Sequence, residues 1–207
     1  MCGNRSNVDV LFSEISFDFF GDVLTCPFLK NKIMLTAFVL NVLILSTGCA
    51  DKDWRTASRE SAGIAADPSI TNEAVLYVYG ADAWGWRGLF AIHTWIAAKK
   101  TGEAAYTVYD VVGWRSHHGQ PVLRVVRDIP DRYWYGEKPR ILKEHRGPGV
   151  DELISAVEKA VYAYPWKTTY KAFPGPNSNT FTAWIANQVP ELDLHLPFSA
   201  IGSGYAK

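Results

Sequence analysis

Ser178 sits between Asn177 and Asn179 in PGPNSNTFTAWIANQVP (residues 174–190), where a Pro/Gly turn feeds a segment of helical spacing. A serine at a helix mouth has two uses. Its oxygen can accept from the free N–H groups of the first turn as a cap, or it can attack an acyl group whose oxyanion those N–H groups then stabilise. The second use requires a base, because a serine hydroxyl is a poor nucleophile at its own pKa. His93, in AIHTWI, is the candidate base: an imidazole among Ile92, Trp95 and Ile96 is either buried with a partner or aimed into a cleft. Asp110 is the candidate third member, able to fix the imidazole tautomer and stabilise the imidazolium. Its plainer reading is an edge-strand charge facing water.

The elements that must position these groups follow from local pattern. AVLYVYGA (74–81), GLFAIHTWIAAK (88–99), AYTVYDVVGW (105–114) and QPVLRVVRDI (120–129) are β-rich runs, and WKTTYKAF (166–173) alternates enough for a last strand. The turn signal KTGE makes the second and third runs an antiparallel hairpin. Folding it about Lys100–Gly102 brings position 93 opposite position 110, within one residue. GVDELISAVEKAVYAYP is the clearest helix, with Asp151 as N-cap, Leu153, Ile154, Val157, Val161 and Tyr164 on one face, and Pro165 ending it. A second helix over 178–189 opens at Ser178 or Asn179 and buries Phe181, Trp184, Ile185 and Val189. The fold class is α+β, an antiparallel strand-rich front half packed by carboxyl-terminal helices.

The order of these features resembles the circularly permuted papain-like fold of the PPPDE-type isopeptidases and the lecithin:retinol acyltransferase group. The resemblance rests on IHTWI (Ile92–Ile96) for the histidine strand and NSNTF (Asn177–Phe181) for the nucleophile at a helix start, with Ser178 where those families have cysteine. It implies Ser178 as nucleophile and His93 as base, while Asp110 as orienting acid rests on the hairpin register alone. A serine is far harder to ionise than a cysteine, so the frame can persist while the thiol chemistry does not. GWRG, DRYWYG and PGPNSNTF also resemble an uncharacterised bacterial domain family of unknown function.

The amino-terminus reads as an address. KNKIMLTAFVLNVLILSTGCADKDW has two lysines, then an uncharged, mostly apolar run over 33–47, then Gly48 and Cys49. That run is short of the roughly 20 residues of a spanning helix and close to the 7–15 of a secretory core. LSTGC resembles a bacterial lipobox, which implies that residues 29–48 are a signal peptide and Cys49 the lipidated first residue. Ala50 after it favours the outer membrane by the same resemblance, with the domain facing the periplasm. Residues 1–28 carry four acidic residues ahead of the basic segment and read as an extension from a start assigned too early, with Leu29 the expected start. Residues 49–72, small and polar, read as a lipid-anchored tether, and 73–207 as one globular domain, expected to be a monomer.

Composition narrows the function. Twenty-one basic against 21 acidic residues, with no basic cluster, argue against a nucleic-acid partner. The three cysteines, Cys2, Cys26 and Cys49, leave none from Ala50 to Lys207, so thiol catalysis and thiolate metal sites are excluded for the domain. The adjacent His117 and His118 lack ligand company; no metal and no cofactor is expected. All eight tryptophans lie beyond residue 50. Trp84, Trp86 and Trp134 with Arg87 could line a cleft that grips a small-molecule, peptide, lipid or glycan ligand by stacking and bidentate hydrogen bonds, with Asn177 and Asn179 as further candidates. Two functions stand: a Ser-dependent hydrolase or acyltransferase on an amide or ester, and a non-catalytic envelope binding module using an aromatic and arginine-lined cleft.

Overall fold

The computed structural model describes residues 53–207; the readings of residues 1–28, the signal peptide 29–48 and Cys49 lie outside the described residues. Five strands, β1 (Val75–Asp82), β2 (Ile92–Lys99), β3 (Thr107–Val111), β4 (Leu123–Arg127) and β5 (Arg140–Arg146), form one antiparallel sheet in the order β4-β3-β2-β1-β5. Two helices follow, α1 (Val150–Ala163) and α2 (Ser178–Gln188). The fold is mixed α+β. Among the described residues no helix is long and apolar enough to cross a membrane.

The sheet has a core on each face, as the buried central strands require. Leu76, Val78, Ile96, Ala98, Tyr109 and Val111 pack against Ile154, Val157, Val161, Phe181 and Ile185 of the helices. On the other face Tyr77, Tyr79, Trp95, Tyr106, Val108 and Trp134 make a second, aromatic core. Among the described residues no α-helix packs on it; Ala57, Ile64 and Ala65 of the preceding segment and Trp84 do. The described part of the stretch expected as a tether meets the domain: Trp54 lines a cavity with Tyr135, and the Arg59 guanidinium lies 4.3 Å from the Tyr135 ring centroid. Buried Asp131 accepts from Ser61 Oγ (2.8 Å), Ile64 N (2.7 Å) and Ala65 N (3.1 Å), and Tyr106 donates to the Ala66 carbonyl (3.0 Å). Lys99, fully buried, donates from Nζ to the carbonyls of Thr71 and Glu73, both at 2.8 Å. A buried ammonium that found no such acceptors would cost several kcal/mol, so these contacts hold residues 71–73 against the end of β2.

Four strands lie where the β-rich runs place them, trimmed at their ends. The start of the second run is instead a 3-10 turn, Gly85–Leu89. Residues 166–173 form no strand: the Lys167 carbonyl accepts from Val122 N and from Leu123 N at the start of β4, but Lys171 N donates to the Pro176 carbonyl, so the chain turns back on itself instead of continuing along the sheet. β5 is absent from the sequence reading because RILKEHR is an edge strand with mostly charged or exposed residues. The α1 N-cap is Gly149, in the left-handed region at φ 84°, not Asp151. Asp151 lies in the first turn and accepts from Thr101 N and Oγ1 (2.9 and 2.6 Å), which ties the β2–β3 turn to α1.

Candidate functional site

The α2 start is built by Asn177, not by Ser178. Asn177 is the N-cap: its Oδ1 accepts from the backbone N–H of Asn179 (3.0 Å) and Thr180 (3.1 Å), and Thr180 Oγ1 accepts in return from Asn177 N (3.1 Å), a complete capping box. Its Nδ2 donates to the carbonyls of Ala172 and Ile201, both 3.0 Å away. Gly202, at φ 96°, packs so closely that an added Cβ would lie 2.2 Å from Asn177 Nδ2. Asn179 donates from Nδ2 to the carbonyls of Ile92 and Ile201 (2.9 Å each) and accepts from Thr94 Oγ1 (3.0 Å). Both asparagines are buried, with every bond spent within the fold. Ser178 is the first helical residue, also buried, and its hydroxyl takes no hydrogen bond among the described residues.

His93 is turned away from this helix mouth. Thr94 projects to α2, where it meets Asn179 and Thr182 (2.8 Å), and side chains alternate along a strand, so His93 and Trp95 project to the aromatic face. The imidazole lies flat on Trp134, centroids 3.5 Å apart and planes 5° from parallel. Its Nε2 is buried without a hydrogen-bond partner among the described residues. Burial, then the positive charges of Arg132 and Arg124, hold its pKa well below the ordinary imidazole value. The ring is a neutral, apolar-packed group at pH 7, and no recorded contact joins it to Ser178.

The hairpin register differs from the expected one by two positions. Ile96 faces Tyr109, Ala97 faces Val108 and Ala98 faces Thr107, which carries Asp110 opposite Trp95. A two-residue shift keeps the face, so Asp110 lies on the same side as His93 but pairs with arginines instead. Its fully buried carboxylate accepts from Arg124 Nε (3.1 Å) and, in a very short contact, from Arg132 Nη2. Asp128 accepts from Arg124 Nη2 (2.9 Å) and Arg132 Nη1 (3.0 Å). Two arginines and two aspartates thus form a closed ring of charge-assisted bonds.

Three members of this ring, Arg124, Asp128 and Arg132, line a cavity of about 280 Å³ whose walls also include Arg59, Arg115, Trp114, Trp134 and Tyr135; Asp110 lies buried behind them. Four guanidinium groups against two carboxylates leave a formal excess of two positive charges. Each guanidinium carries five N–H donors; Arg59 spends one on the Trp54 carbonyl and Arg115 one on that of Pro121. A second cavity of about 340 Å³ opens beside it, lined by Trp54, Trp84, Trp114, His118 and Tyr135. Of the residues expected in an aromatic cleft, Trp134 walls the first cavity and Trp84 the second. Trp86, 70% exposed and packed on Phe90, and the exposed Arg87 line neither. Sequence reasoning passed over Arg59, Arg124 and Asp128; the signal available was only an i, i+4 Arg/Asp pair running off a strand end. Among the described residues no group of three or more His, Cys, Asp or Glu side chains is placed to hold a metal ion.

The fold and this site define an α+β domain with an arginine and tryptophan-walled depression on the helix-free face of its sheet. The chain belongs to the family described as Protein of unknown function (DUF3750), whose match spans residues 73–205. No curated protein and no solved structure matches the chain.

Proposed function

We propose that this protein is a ligand-binding module of the bacterial cell envelope, anchored by lipid at Cys49 and facing the periplasm, and that it takes a small anionic group in the Arg59/Arg115/Arg124/Arg132 cavity. One observation carries the reading: an open cavity walled by four guanidinium groups with charge and N–H donors in excess of the two carboxylates present. Planar, forked guanidinium donors suit carboxylate or phosphate oxygens. The frame is read as permuted papain-like, supported by the order of strand, histidine strand, hairpin partner and Asn-Ser-Asn-Thr-Phe helix start. The hydrolase or acyltransferase reading keeps the support of that motif. Against it stand the opposite orientations of His93 and Ser178 and the occupation of Asp110 by arginines.

Calorimetric titration with inorganic phosphate and with acetate tests the binding reading. The wild-type domain binds at least one of them, and Arg59→Gln with Arg115→Gln weakens binding about tenfold or more, since hydrogen bonds to charged groups contribute about 1.5–3 kcal/mol. A fluorophosphonate probe that labels the wild type and fails on both Ser178→Ala and His93→Ala, with unchanged melting temperatures, would return the argument to catalysis. Palmitate incorporation that persists in Cys49→Ala sinks the anchor.

A further inference from the structure

The cationic cavity and the aromatic cavity share two walls, Trp114 and Tyr135. Trp114 stacks on Trp134 with centroids 5.5 Å apart and meets Tyr135 edge-on at 5.0 Å; Trp84 meets the same tyrosine edge-on at 5.6 Å. The two depressions are therefore divided by a rigid aromatic ridge rather than by mobile chain. Their chemistry differs sharply. The first is lined by arginines; the second has three tryptophans, a tyrosine and one histidine, and no acidic side chain.

An aromatic box invites a cation, but here two of the π systems are already engaged. The Arg55 guanidinium sits 4.8 Å from the Trp54 ring centroid and that of Arg59 sits 4.3 Å from the Tyr135 centroid. Arg55 is paired with Asp53 (3.8 Å), but a ligand cation would still meet the Arg59 charge, and among the described residues no carboxylate lines the cavity to attract it. An uncharged apolar group meets no such penalty and gains the burial of aromatic surface.

We propose that the two cavities are one bipartite site for an anionic amphiphile: a carboxylate or phosphate head held by the arginines, and a hydrocarbon or aromatic body laid over the Trp114/Tyr135 ridge into the tryptophan cavity. This rests on the anion-binding reading above and names the ligand class that the same site selects. Together the two volumes fall within the range usual for small-molecule sites, whereas the arginine cavity alone is at its lower edge.

The test is a calorimetric series with inorganic phosphate, ethyl phosphate, hexyl phosphate and 1-hexanol on the wild-type domain. Each buried methylene strengthens binding about fourfold, so hexyl phosphate binds at least about tenfold more tightly than ethyl phosphate. Trp54→Ala brings hexyl phosphate back towards ethyl phosphate, leaves inorganic phosphate unchanged, and is rescued by Trp54→Phe. Trp54 is 52% exposed, so its loss spares the core; Trp84→Ala gives a second measure from the far wall. Equal affinity for ethyl and hexyl phosphate overturns the bipartite site and leaves the anion reading standing. No binding of any phosphate together with no binding of acetate, or 1-hexanol binding as tightly as hexyl phosphate, overturns both.

Discussion

His93 and Trp134 lie ring on ring, with centroids 3.5 Å apart and planes 5° from parallel, and the imidazole Nε2 has no hydrogen-bond partner among the described residues. A protonated ring in that position would be a buried cation beside Arg132 and Arg124. The folded state therefore resists a proton that the unfolded chain accepts near pH 6.5. Because the folded pKa is depressed, the unfolded chain binds more protons below that pH, and stability falls as pH is lowered through about 6.5, by up to about 1.4 kcal/mol per pH unit. Urea denaturation between pH 7.5 and 5 should show this slope in wild type. His93→Phe, which keeps a ring against Trp134, should remove His93's share of it; equal slopes in the two proteins would refute the assignment.

The α2 start separates Asn177 from Ser178. Asn177→Ala removes the cap acceptor and two bonds to carbonyls, and should cost about 2 kcal/mol or more, read as a clear drop in melting temperature. Ser178→Ala loses no hydrogen bond among the described residues and should stay within about 0.5 kcal/mol of wild type. A Ser178→Ala loss as large as that of Asn177→Ala would show a hydroxyl role that the geometry does not contain.

Asp110 is structural in this arrangement. Asp110→Ala leaves Arg132 buried with only Asp128 opposite it, which should cost about 3–5 kcal/mol, as removal of one partner from a buried ion pair does. Circular dichroism melts would register the loss. A variant that melts like wild type would mean the arginines find water or another acceptor.

Asp131 fastens the amino-terminal segment through three accepted bonds. Asp131→Ala should release residues 61–65 and make the Arg59–Glu60 bond a site of rapid tryptic cleavage, with the remaining domain protected. Mass spectrometry of a timed digest decides it. Cleavage no faster than in wild type would mean that the Tyr106 and Lys99 contacts suffice.

Local pattern made four strands and both helices legible: runs rich in Val, Ile and aromatic residues mark strands whose central members are buried on both faces, and helical apolar spacing marks the helix faces that join the core. β5 escaped it, since an edge strand carrying Arg140, Lys143, Glu144 and Arg146 looks like a solvated loop. The two-residue register shift of β2 on β3 was equally out of reach: periodicity fixes which face a residue takes but not how far one strand slides along another. Hence Asp110 and His93 were placed on one face correctly and paired wrongly. The helix mouth shows the same limit. A motif records which residue stands at a helix mouth, whereas alternation along β2 decides whether Thr94 or His93 looks at it. The arginine ring joins residues 110, 124, 128 and 132 across two strands and a loop, a grouping that no single window of sequence contains.

The docking of the amino-terminal segment also sets a length. Trp54 walls the aromatic cavity and stands five residues after Cys49, so lipidation of Cys49, as proposed, allows at most about 18 Å of fully extended chain between the acyl chains and that wall. So short a leash would keep the mouth of that cavity skimming the bilayer, where amphiphiles concentrate, and turn the encounter with a ligand into a search across a plane.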